Sequence, residues 1–186
     1  MTEEELILKV VEWGEEKGIL SNSTPSKQLV KTMEESLEFI VAHDKGDIPE
    51  IIDAIGDITV TYILYLALIN LDPVKVIPDR VSIIDTAPDE FESPVHFDLP
   101  TSMSVIDVPS DLFNVERIDE VDKEEIPKSL WDIVNTYKVY AIASILHRLD
   151  IEAKSIGTNL HDCLLEAYKV ISQRTGKMVD GLFVKD

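Results

Sequence analysis

Two short stretches of the chain gather carboxylates at helical spacing. Residues 34–38 read Glu-Glu-Ser-Leu-Glu, and Glu50, Asp53 and Asp57 follow after an interruption at Gly46-Asp47. Glu35 and Glu38 stand three apart and Glu34 and Glu38 four apart, so each pair can share a helical face. The trio Glu50, Asp53 and Asp57 repeats that spacing between Ile51, Ile52, Ile55 and Ile58. Two antiparallel helices joined by the Gly46-Asp47 turn bring the two acidic faces together. Like charges four apart on one helix cost a few tenths of a kcal/mol per pair, and facing rows cost more unless cations lie between them. Hard oxygen donors of this kind suit magnesium, with manganese as a substitute. Such an ion orients a polyphosphate, neutralises developing charge and lowers the pKa of an attacking water. Glu35, Glu38, Asp53 and Asp57 are the candidate ligands. Glu34 and Glu50 suit orienting or deprotonating a water, or plain solvent exposure.

A second set of residues could address the substrate of such a centre. Lys31, Arg174 and Lys177 are basic in a chain with few basic residues, and each could contact phosphate oxygens. The alternatives are an ordinary helix lysine for Lys31 and helix C-terminal cations for Arg174 and Lys177. Gln28 and Trp13 could touch a base or sugar, although Trp13 equally suits a core. His43, His96, His147 and His161 share no metal-ligand spacing, and no nucleophile elbow or glycine-rich phosphate loop is present.

The elements that must hold these residues are helical. Glu3 to Lys17 places Leu6, Ile7, Val10, Val11 and Trp13 near one face, and Gly18 stops it. Ser23-Thr24-Pro25-Ser26 opens a second helix running to about Asp44, with Leu29, Met33, Leu37, Ile40 and Val41 expected inward. Asp47 caps a third, from about Ile48 to Leu71. Residues 73–127 then hold seven of the nine prolines and no glycine. Here Val81–Ile84 and Ser104–Val108 are candidate strands, because Pro88, Pro94, Pro100 and Pro109 interrupt anything longer. Pro127 opens a fourth helix to about Leu149, and a fifth runs from Thr158 or Asn159 to about Arg174. The expectation is an all-α, antiparallel bundle of four to five helices. One domain spans 1–186, with an acidic, proline-rich insertion at 73–127 that has room for a short hairpin.

Composition bounds the function classes. The 186 residues include 36 acidic and 17 basic ones, a formal net charge of −19, yet 45% are hydrophobic. Wholesale disorder is excluded by that apolar content. A surface this acidic repels nucleic acid backbones and anionic membranes, and solubility is the plain explanation for much of it. The insertion alone carries 14 acidic and 4 basic residues. Cys163 is the sole cysteine, so no internal disulfide forms. The opening Met-Thr-Glu-Glu-Glu-Leu is unlike a signal peptide, and Ile58–Leu71 reads as a buried core helix. A cytoplasmic protein is the expectation.

The pattern Glu34-Glu35-x-x-Glu38, a short linker, then Glu50-Ile-Ile-Asp53-Ala-Ile-Gly-Asp57 resembles the MazG-type all-α nucleoside triphosphate pyrophosphohydrolases. That superfamily includes the dimeric dUTPases and phosphoribosyl-ATP pyrophosphohydrolase. Trp13-Gly14, the Pro25–Lys31 segment and the ending Glu166–Gly181 are similar to compact, often phage-encoded members, so the resemblance covers about 5–72 and 128–186. It implies magnesium-dependent cleavage between the α and β phosphates of a nucleoside triphosphate. The products are a monophosphate and pyrophosphate, and the implied assembly is a homodimer or a dimer of dimers. Carried over by position, Glu35, Glu38 and Asp57 match metal ligands. The family's second-motif glutamate falls on Ala54, with Asp53 and Glu50 as candidate replacements. dUTP or phosphoribosyl-ATP hydrolysis uses the same chemistry. From another class, an acidic helical module binding a basic partner fits the charged insertion.

Overall fold

The computed structural model describes residues 1–87, 101–121 and 128–186. Helix α1 (Glu3–Glu16) starts at a reciprocal cap, in which the Thr2 hydroxyl accepts from the Glu5 amide and the Glu5 carboxylate accepts from the Thr2 amide. A single turn, α2 (Ile19–Asn22), leads to α3 (Pro25–Lys45), capped by Thr24 with Pro25 in its first turn. Gly46, at φ 66°, ends α3 in the left-handed conformation. The Asp47 carboxylate then caps α4 (Ile48–Leu68). The tight antiparallel α3–α4 hairpin that the carboxylate spacing requires is therefore present.

Helix α4 is the centre of the molecule. Its run from Ile58 to Leu66 is buried throughout, and it packs on α1, α2, α3 and the later helices. It is also long and apolar enough to cross a membrane by length and composition, but most of it is covered by the rest of the protein. Two short helices follow, α5 (Pro73–Val76) and α6 (Arg80–Asp85), then α7 (Thr101–Val121) against α3, and α8 (Lys128–Ser155). Helix α9 (Leu160–Ile171) is capped by Asn159 and crosses α4. Strands β1 (Gly176–Val179) and β2 (Leu182–Lys185) form an antiparallel hairpin, with Met178 opposite Phe183.

The fold is all-α, as the periodicity of the sequence implies. Its middle differs from expectation. Val81–Ile84 lies in α6 and Ser104–Val108 in α7, so neither run is a strand. Pro109 sits inside α7, where it removes one backbone hydrogen bond without ending the helix. What holds α7 is one apolar stripe: Val105, Val108 and Leu112 are buried together with Ser104 and Glu116. Glu116 pairs with the buried Lys138 of α8 at 2.6 Å and accepts from the Tyr65 hydroxyl of α4 at 2.5 Å. Pro88, Pro94 and Pro100 lie outside the described residues. The inward face of α3 also differs. Gln28, Leu29, Thr32, Glu35, Ser36, Phe39 and Ala42 point inward, whereas Leu37 and Val41 are half-exposed.

One close approach fixes how α4 meets α9. A β-carbon on Gly56 would lie 2.4 Å from the Cys163 carbonyl oxygen and 2.8 Å from the Ala167 β-carbon. Both obstacles belong to helix framework and cannot swing away. Gly56→Ala is therefore expected to cost about 1–3 kcal/mol, read as a melting temperature lower by several degrees. Gly14→Ala should cost less, because its new methyl clashes only with the end of the Leu64 side chain and otherwise meets Leu20 at ordinary contact distance. Equal melting points for the two variants would contradict this crossing.

Candidate active site

Two of the acidic residues are turned into the α3–α4 contact. Glu35 is 8% exposed, and the Asp57 side chain is 12% exposed. Thr32 and Thr61 hydroxyls, 3.0 Å apart, tie the same helices together one turn away. The paired charges are offset by cations from either side. Lys31 Nζ stands 2.9 Å from Glu35 and 2.7 Å from Glu34. Arg174, in the turn after α9, places Nη2 3.6 Å from the Asp57 carboxylate.

The offset is incomplete. Burial, the Glu35 charge and Asp53 push the Asp57 carboxyl up to about 6, against the opposing pull of Arg174 and Lys185. Glu38 is also raised, first by partial desolvation and then by Glu35, with which it shares a hydrogen bond. Two carboxyl groups make that contact only with a proton or a cation between them. Burial alone would lower the Lys31 amine, but its hydrogen bonds and charge contacts with Glu34 and Glu35 outweigh it and raise it. Among the described residues no three His, Cys, Asp or Glu side chains converge into a ready-made metal cage. Hard carboxylate oxygens such as those of Glu35 and Asp57 are the donor type magnesium takes, one or two directly with water completing its shell.

Beside this cluster lies a pocket with a cavity of about 100 Å³. Glu35, Asp57, Lys31, Arg174, Gln28 and Trp13 all line it. Trp13 is both core and pocket wall, 7% exposed. The Gln28 side chain is buried and makes no hydrogen bond among the described residues, so its amide is available to a ligand. The remaining sequence candidates lie elsewhere. Glu34 is half-exposed and tied to Lys31. Glu50 is exposed and lines a separate cavity with Glu38. Asp53 is exposed and does not line the pocket, though its charge acts on Asp57. Ala54 is buried in the core, so the carboxylate that the resemblance puts at this position is absent.

Lys177 does not line the pocket. The hairpin register pairs it with Val184, whereas Phe183 and Lys185, two apart on β2, share the other face and do line the pocket. Sequence reasoning missed both. The available signal was Asp180-Gly181 between β-favouring residues, and both positions have positive φ, 49° and 77°.

Comparisons with known proteins are sparse. No family model and no solved structure matches the chain. A similar curated protein is an uncharacterised 18.2 kDa protein in the rep-hol intergenic region of Haemophilus phage HP1 (strain HP1c1), 36% identical over 73 residues. The match covers 38% of this chain and 44% of the phage protein.

The raised Asp57 carboxyl has a stability consequence. Below pH 4 it is protonated in folded and unfolded chains alike. Between pH 4 and 6 the folded state holds the proton more tightly, so this contribution to stability is lost as pH rises through about 6. Without added metal, Asp57→Asn should gain on the wild type across that interval by an amount on the order of 2–3 kcal/mol. Denaturant melts at several pH values measure it, and a constant difference would contradict the geometry.

Proposed function

We propose that the chain is a magnesium-dependent nucleoside triphosphate pyrophosphohydrolase of MazG-like type, acting in the cytoplasm. The observation that carries this reading is the pairing of Glu35 and Asp57, largely out of water, on the wall of a pocket that also holds Lys31, Arg174 and an unpartnered Gln28 amide. Buried like charges are costly without a counter-ion. Their placement beside cations suits a ligand that is itself anionic and arrives with metal.

Glu35, Glu38 and Asp57, with Asp53 near by on α4, would hold the ion. When bound, magnesium would supply charge neutralisation at the phosphates and acidify a water. The chain's own side chains do the remaining work. Lys31 sits where it can exchange its contact with Glu35 for a phosphate oxygen, since an arriving cation competes for that carboxylate. Arg174 can turn from Asp57 in the same way, its planar guanidinium suited to two phosphate oxygens. Gln28 can meet the polar edge of a base or sugar against the Trp13 ring. Glu34, which loses its partner when Lys31 moves, would accept a proton from water on the solvent side.

The test is a product assay with magnesium and a panel of nucleoside and deoxynucleoside triphosphates, including dUTP. Monophosphate and pyrophosphate are the expected products. Asp57→Asn and Glu35→Gln should lower kcat by at least about 100-fold while both variants keep a cooperative melt. Absence of turnover with every nucleotide, together with a melting temperature unmoved by magnesium, would sink the reading.

A further inference from the structure

The β1–β2 hairpin brings to the pocket what the helices lack. Its two-residue turn, Asp180-Gly181, carries positive φ at both positions, the arrangement that matches strand twist. The Asp180 carbonyl accepts from the Lys27 amine of α3. Phe183 meets the Trp13 ring edge-on, with centroids 5.9 Å apart at 72°. Met178 and Phe183 pack on the core from one face of the hairpin. The hairpin is thus seated against the site by three separate contacts.

On that face Lys185 reaches the pocket, and its charge acts on both Asp57 and Glu38. Among the described residues it has no ion-pair partner within 4 Å. Three cations (Lys31, Arg174 and Lys185) and two carboxylates (Glu35 and Asp57) line the pocket, in a chain of net charge −19. Lys31 and Arg174 are already engaged with those carboxylates; Lys185 is not. An uncommitted cation on a hairpin edge, beside two committed ones, points to a ligand with more negative charge than a single phosphate.

We infer that the hairpin is part of the substrate site: Lys185 binds the terminal phosphates of a nucleoside triphosphate, and Phe183 with Trp13 walls the pocket that takes the nucleoside. The inference rests on the pyrophosphohydrolase reading for the identity of the substrate. It adds that discrimination between triphosphate and monophosphate resides in Lys185.

Calorimetric titration with magnesium tests it, using α,β-imido triphosphates of the common nucleosides and the corresponding monophosphates. For the tightest-binding nucleoside, Lys185→Gln should weaken the triphosphate about tenfold and the monophosphate less than about twofold. Phe183→Leu should weaken both to a similar degree, and Lys75→Gln, the same charge change at a remote exposed site, neither. Melting temperatures within about two degrees of wild type show that the hairpin stays seated in Lys185→Gln. Wild-type affinity in Lys185→Gln, or equal losses for triphosphate and monophosphate, overturns the Lys185 assignment and leaves the enzymatic reading standing. Unchanged affinity in Phe183→Leu overturns the aromatic wall. No binding of any nucleotide to the wild type overturns both readings together.

Discussion

Glu35 and Asp57 face each other across two packed helices with little water to screen them, and the surrounding architecture answers that repulsion. Their approach depends on the Gly46-Asp47 turn, which ends one helix with a left-handed glycine and starts the next with a carboxylate cap. The Thr32–Thr61 contact then holds the pair in register. Gly56 lets α9 come close enough for the turn after it to deliver Arg174 to Asp57. Lys31 answers Glu35 from within α3. Each offsetting charge therefore comes from a separate structural decision, and none makes the pair comfortable, since Asp57 still holds its proton to about pH 6.

This arrangement reconciles two facts that look opposed. The chain is strongly acidic, yet the pocket beside this pair carries more cations than carboxylates on its wall. Most of the negative charge is spread over solvated surface, where screening over about 10 Å at 0.1 M salt limits its reach. Inside the pocket a few charges at short range dominate. Net charge describes the approach of a large polyanion such as nucleic acid; local charge governs a small anion that fits within one cavity.

The helical frame of the site was legible because its punctuation is strong. Thr24-Pro25, Gly46, Asp47-Pro49 and Asn159 each act through a local backbone need that a sequence displays directly. Helix α7 was illegible because Pro109 reads as a breaker, while the stripe that overrides it, Val105, Val108 and Leu112, gains its value only from burial against α3. Leu37 and Val41 misled in the opposite way. Apolar residues occur on more than one face of α3, and periodicity alone does not say which face meets α4. Among the residues that line the pocket, Glu35 and Asp57 were candidates by spacing, and Gln28, Lys31 and Arg174 by residue type. Phe183 and Lys185 depend on a hairpin folding back over 150 residues to α1 and α3, a long-range contact that no local pattern encodes.

In the function proposed for this chain, Ala54 stands where the resembling family carries a glutamate, and a neighbouring carboxylate would have to answer for it. One residue on a helix turns a side chain by about 100°, so Asp53 and Ala54 cannot serve the same direction. Ala54 is buried in the core. Position 53 points to the solvent edge, near enough to raise Asp57. A nearby carboxylate contacts a hydrated ion through its water shell as readily as directly, which suits a cation that sheds water reluctantly. In the function proposed for this chain, the inner donors Glu35 and Asp57 set where the ion sits. Asp53 contributes mainly charge. The demand on that position is then for a negative charge near Asp57, a looser requirement than an aligned ligand and one that a neighbouring aspartate can meet.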